Sequence, residues 1–138
     1  MRSLTTCLLM FLLTTLASAQ ETADTTLIIN EVQVANLDQF LDNANCYGSW
    51  IELYNPNDTA VSLKYMHLND GVNDYRMLTF FGSVPAKGFK TIWFDHPSTE
   101  GNYGATSRQQ IPFKLEYEGG TISLLSADLT LLTSVDYP

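Results

Sequence analysis

The sequence predicts an all-β domain, a sandwich or barrel of about nine strands, and three observations carry that reading. Short runs rich in Val, Ile, Leu, Tyr, Phe and Trp recur along the chain. Each is bounded by Asn, Asp, Gly or Pro, and turn signals return about every 8–12 residues. The three-to-four-residue apolar spacing of an amphipathic helix is almost absent.

The runs follow in order. TLIINEVQV (26–34) is the first and SWIELYN (49–55) the second. Strand alternation puts Ile51 and Leu53 of the second run on one face, toward a core. Trp50, Glu52 and Tyr54 then share the other face. AVSL (60–63), YMHLN (65–69), YRMLTF (75–80), GFKTIWFD (88–95), IPFKLEY (111–117), GTISLLS (120–126) and LTLLTSVDY (129–137) complete the set. In NPND, Pro56 fixes φ, and Asn57 or Asp58 is suited to bond the backbone that follows. PAKG (85–88) and EGG (118–120) read as tight reversals. One helical turn is expected at LDQFL (37–41), with Asn36 as its N-cap. Two connections, 35–48 and 96–110, are long, and connections of that length are functional or disordered.

The N-terminus reads as a leader and not as part of the fold. Arg2 precedes an apolar stretch centred on 7–16, and Ala17-Ser18-Ala19 supplies the small-x-small pattern of a signal peptidase site. The stretch is too short to span a bilayer comfortably. Residues 1–19 are therefore expected to be a cleaved signal peptide, 20–25 a short linker and 26–138 one domain. The product is expected in the periplasm or outside the cell, with no membrane insertion after cleavage. Removing 19 of the 138 residues leaves 119. That suits a single domain able to bury about two-thirds of its unfolded surface. Cys46 is then the only cysteine, so an intramolecular disulfide is impossible; it is expected to be buried as a small hydrophobe. Loss of Arg2 leaves six basic against 15 acidic residues, a net charge of −9, with the basic residues scattered. Such a surface repels phosphate backbones and anionic lipid, which argues against nucleic acid and membrane partners.

Five stretches taken together resemble the lamin-tail domain family, most closely its bacterial secreted branch. They are LIINEVQVAN, SWIELYNPNDTAVSLKYMHLND, VPAKGFKTIWFD, FKLEYEGGTISLLS and the closing VDYP. They carry, in order, an Asn-Glu on the first strand, a Trp-Ile-Glu-Leu-Tyr-Asn strand and a short strand pair. A Pro-x-x-Gly turn and a Gly-Gly hairpin follow, and the resemblance covers 27–138. It implies an immunoglobulin-like β-sandwich that serves as an interaction or attachment module, not an enzyme, and it supplies no catalytic residues. Secreted modules of this kind are often joined to hydrolases, phosphatases, nucleases or spore-coat-kinase-like domains. The chain is thus expected to act alone, as the front of such a protein, or as a purely structural surface component.

The candidate chemistry is sparse. Glu31 and Glu52, if they face each other, would form a carboxylate pair of the kind glycoside hydrolysis uses. The expectation is instead that they are scaffold, accepting hydrogen bonds from nearby loop backbone. NDGVND (69–74) groups the oxygen ligands that Ca²⁺ prefers, although its spacing is not that of an EF-hand. Strand alternation would bring Asp58, Asp70, Asp74 and Asp95 to one end of the fold, and an ordinary set of solvated turns is the competing reading. Zinc has only His67 and His96 to draw on, with Cys46 distant in sequence. No nucleophile elbow is present. Asn57-Asp58-Thr59 is a glycosylation sequon. The ligand patch is placed at Asp95, His96 and Tyr103, because tyrosines on Gly/Asn-rich loops are common contact residues. A protein or glycan partner and no cofactor are expected.

Overall fold

Ile51 and Leu53 are wholly buried in the core while Glu52 and Tyr54 between and beside them stay half-exposed, as alternation requires. A computed structural model of the chain describes residues 26–37, 47–94 and 110–138. The leader, the linker, Cys46, the body of the expected helical turn and the patch at Asp95, His96 and Tyr103 lie outside the described residues.

The described residues are all-β, with ten strands in three sheets and no α-helix. The strands are β1 (Ile28–Gln33), β2 (Trp50–Tyr54), β3 (Val61–Ser62), β4 (His67–Asn69) and β5 (Asp74–Arg76). Then come β6 (Ser83–Val84), β7 (Phe89–Phe94), β8 (Gln110–Ile111), β9 (Gly120–Leu125) and β10 (Leu131–Tyr137). The first sheet has the order β1-β2-β7-β8, the second β10-β9-β4-β5, and β3 pairs with β6 alone. All pairings are antiparallel except β7 with β8, where Trp93 lies beside Gln110 and Phe94 beside Ile111. β1 also approaches β10, which links the two larger sheets.

One core draws on all three sheets. Ile29, Ile51, Leu53, Ile92, Phe94 and Ile111 come from the first, with Leu27 just ahead of β1, and Leu68, Ile122 and Leu124 from the second. Val61 and Val84 come from the small ribbon, and Met77 and Phe81 from the connection between β5 and β6. Burying each such side chain contributes about 1.5–3 kcal/mol, so this cluster is the main source of stability. Tyr137 closes the second sheet against two glycines. Gly119 sits at φ +92°, and an added Cβ there would lie 2.8 Å from the Tyr137 carbonyl oxygen. A Cβ on Gly120 would lie 2.9 Å from the Tyr137 hydroxyl.

Two expected strands pair over a shorter stretch than their runs, and one strand that was not expected appears. The run 75–80 pairs only as far as Arg76; the chain then turns through a short 3-10 segment, Thr79–Phe81, that sinks Phe81 into the core. Gly82 and the two residues of β6 follow, a pairing too short to show as a sequence run. The run 111–117 forms a ladder only at its start, although Phe113 and Leu115 are buried while Pro112, Lys114 and Glu116 are exposed. Alternation there reports an extended chain laid on the core, without strand partners.

Candidate functional site

The first sheet has two unlike ends. β2 ends at Tyr54, opposite Ile28 and Phe89; β2 begins at Trp50, opposite Gln33 and Trp93. Asn55 governs the first end. Its side chain is fully buried, and its amide nitrogen donates to the carbonyls of Thr59 (2.8 Å), Val84 (3.1 Å) and Pro85 (2.9 Å). An amide has two N–H bonds, so one of them is shared between two carbonyls. Its oxygen accepts from the Asn57 backbone N–H (2.9 Å) and the Asn57 side-chain amide (2.8 Å). Its own backbone N–H reaches Gly88 O at 2.9 Å. One residue thus ties β2, the approach to β3, and the turn between β6 and β7.

Asn57 extends the tie by donating to Thr26 O at 2.9 Å. The sequon asparagine therefore has its amide nitrogen engaged on two sides in the folded chain. Lys87 adds bonds to Pro56 O (2.7 Å) and an ion pair with Asp58 (3.0 Å), both exposed.

The middle of β2 answers the Glu52 question. A bulge between Ile29 and Glu31 sets both Asn30 and Glu31 against Glu52, as a bulge opposes two residues to one. The two carboxylates do come opposite each other. Glu52 accepts the Asn30 side-chain amide at 2.8 Å, so its partner is a side chain on the bulge and not loop backbone. On the same face Tyr54 packs against Phe89 with centroids 4.8 Å apart, and Phe89 is exposed. At the other end Trp50 meets Trp93 edge-on at 6.4 Å; Trp50 is buried although it points away from the core cluster.

The Trp50 end carries both long connections. β1 stops at Gln33 and β2 starts at Trp50, while β7 stops at Phe94 and β8 starts at Gln110. Here Asn36 reaches across to Gly48 O (3.2 Å), and the Phe94 N–H donates to Ser49 O (2.8 Å). Between these ends lies a shallow pocket of about 70 Å³ lined by Val34, Tyr47, Ser49, Phe94, Lys114 and Tyr117, among others. Tyr47 and Tyr117 are exposed. Both escaped the sequence reading; the signal that points to them is a solvent-facing tyrosine beside a long connection. The expected patch of Asp95, His96 and Tyr103 lies outside the described residues.

Among the described residues the acidic turns do not gather. Asp58 follows β2 at the Tyr54 end, whereas the chain leaves β7 toward position 95 at the Trp50 end. Asp70 is used by its own loop, accepting from the N–H of Val72 (2.9 Å) and the side chain of Asn73 (2.9 Å). Burial alone would raise its pKa, but the bonds from Asn73 and Val72 outweigh that and hold it below the usual value. Asp74 bonds His67 Nδ1 at 2.8 Å. Among the described residues no group of three or more His, Cys, Asp or Glu side chains is placed to hold a metal.

The second sheet presents a different outer face. Thr121 donates to Asp136 (2.7 Å), Ser123 pairs with Ser134 (3.0 Å), and Asp74 joins His67. At its β5 border, Arg76 lies 4.0 Å and Lys64 4.7 Å from the Tyr65 ring centroid. Tyr65 holds φ at +68°, a costly setting for an aromatic residue. Its N–H is bonded to Met77 O at 2.8 Å. Compared with models of known protein families and with curated proteins, the chain matches none.

Proposed function

We propose that this chain is a secreted, noncatalytic binding module, an immunoglobulin-like β-sandwich related in kind to the lamin-tail domain. On this reading residues 1–19 are its signal peptide and the site of export is the periplasm or the extracellular space. The observation that carries the reading is the asymmetry of the first sheet. One end is tied by Asn55, and the other, from which both long connections leave the sheet, has a pocket flanked by two exposed tyrosines. Tyrosine offers large contact area at low entropic cost, which suits recognition. The commitment of Glu52 to Asn30 supports a scaffold role for the most suggestive carboxylate. Partners of the module are protein or glycan.

The test is sedimentation of the mature protein with peptidoglycan, chitin and cellulose, and capture of solubilised envelope proteins on the immobilised protein. Saturable binding to one of them, lost in a Tyr47→Ala/Tyr117→Ala variant that still melts cooperatively, is the expected result. Turnover of a glycoside, ester or phosphoester that disappears in Glu52→Gln would replace the reading with an enzymatic one.

A further inference from the structure

The second sheet ends at β5, which has β4 as its one neighbour among the described residues. Asp74 and Arg76 are exposed and Tyr75 is half-buried. Flanking bonds set the phase of the ladder: Asp70 N–H reaches Asn73 O at 3.1 Å, and Met77 N–H reaches Met66 O at 2.8 Å. Alternate residues of an antiparallel strand bond to the same neighbour. Asn73, Tyr75 and Met77 therefore face β4, and the backbone groups of Asp74 and Arg76 face the open edge.

The side chains follow a matching rule. Asp74 pairs with Asn69 and Arg76 with His67, on either side of the buried Leu68. Both charges consequently stand on the outer face of the sheet. The stretch Asp74-Tyr75-Arg76 is then self-complementary. A second copy laid antiparallel about Tyr75 sets Asp74 of each chain opposite Arg76 of the other. Each of those two facing pairs exchanges both backbone bonds, and each joins opposite charges. A parallel approach in register would set Asp74 against Asp74 and Arg76 against Arg76.

Arg76 is prepared for such a partner. Its guanidinium is held against the Tyr65 ring, with Lys64 near the same ring. Neither cation has an ion-pair partner among the described residues, in a chain with 15 acidic residues. Short, charged edge strands ordinarily discourage pairing with other strands. Here the order of the charges favours the antiparallel approach about Tyr75 over a parallel approach in register.

We propose that this edge is a self-association surface: two copies pair β5 to β5, antiparallel about Tyr75, in a two-fold isologous contact. Three residues a side make a small interface, so the dimer is transient and concentration-dependent. The occupant is a second copy because the charge order of β5 complements itself.

Sedimentation velocity over a concentration series of the mature protein tests this, with Arg76→Asp, Asp74→Arg and the double exchange. Each single variant puts like charges across the axis and is expected to weaken dimerisation by at least about fivefold. The double exchange restores opposite charges and is expected to recover the wild-type constant within about threefold. A wild type that stays monomeric throughout, single variants that dimerise like the wild type, or a double exchange that fails to recover would each overturn the proposal. Tyr75→Cys with Cys46→Ser supplies a second reading that does not depend on the charge variants folding. Facing residues that do not share backbone bonds lie about 4.5 Å apart at Cα, within disulfide reach. A covalent dimer under mild oxidation is expected, and its absence counts against the pairing.

Discussion

The two ends of β2, Trp50 and Tyr54, are four residues apart and differ in what holds them. Beyond Tyr54 the chain enters a network in which every polar atom of the Asn55 side chain is used, and three separate segments converge on it. Before Trp50 the bonds include Asn36 to Gly48 O and the Phe94 N–H to Ser49 O, and both long connections leave the sheet from this end. A buried amide that satisfies several backbone carbonyls fixes geometry, because no other side chain reproduces its donors and acceptors. The other end has a pocket flanked by the exposed Tyr47 and Tyr117, a surface a partner can contact. The sheet thus has one end fixed by a buried amide network, the rigid end, and one marked by a pocket with two exposed tyrosines, the open end.

The largest expected effect tests the rigid end. Asn55→Ala removes the shared donor from Val84 and Pro85 and the acceptor for Asn57, in a site closed to water at Asn55 itself. Each buried group left unmatched costs about 1–3 kcal/mol, and relaxation of the turn recovers part of it. The net expectation is a loss of about 3–5 kcal/mol, read from urea midpoints at constant slope. A loss under about 1 kcal/mol would mean that the converging segments hold themselves together, and the contrast between the ends would collapse.

Asn55 also shows what a sequence discloses and what it withholds. The run SWIELYN was legible as a strand, and its burial follows alternation at Ile51 and Leu53. Its final residue looked like the opening of a turn. Nothing local says that it also reaches Val84 and Pro85, because those partners lie 29 and 30 residues away. The same limit explains the strands that differed. Alternation across 112–116 is genuine, but period two reports which side of an extended chain is buried, not whether a neighbour is hydrogen-bonded to it. β6 is missed because two residues between Gly82 and Pro85 carry no period at all. The acidic turns were placed at one end by assuming simple alternation of strands. The antiparallel pairing of β2 with β7 puts the Asp58 turn and the exit from Phe94 at opposite ends. For the site, the long connections were recognised from length alone, while Tyr47 and Tyr117 become visible only when the fold brings 47–49 beside 114–117.

A second substitution sharpens the comparison by asking whether the open end has an anchor of its own. Gly119 lies two residues after Tyr117 and closes against Tyr137, with no room for a Cβ and a φ that favours glycine. Gly119→Ala is expected to cost about 1–3 kcal/mol. Calorimetric melting checks it, and an unchanged midpoint would mean that the turn relaxes freely.

Alkaline pH probes the same anchor. Burial pushes the Tyr137 hydroxyl above its usual value of 10.0, as it does that of Tyr75. The folded state then holds these protons more tightly than the unfolded chain does. The stability they lend is complete below pH 10 and declines as pH rises above it. Urea midpoints are therefore expected to fall as pH climbs past that value, and less steeply in Tyr137→Phe. An equal decline in that variant would place the effect elsewhere.

The smallest expected effect is the most telling for the open end. Tyr117 is 67% exposed, and its ring lines the pocket without entering the core cluster. Tyr117→Ala is expected to shift stability by no more than about 0.5 kcal/mol, as exposed substitutions away from special features do. Its urea midpoint should then overlay the wild type while Asn55→Ala, a few strands away, falls far below. A Tyr117→Ala loss comparable to that of Asn55→Ala would show that the pocket wall is structural. The open end would then be a second rigid end, and the tyrosines would have to be explained by packing. An unchanged midpoint leaves an exposed aromatic ring that the fold does not need, as the proposed binding role requires of a residue that contacts a partner.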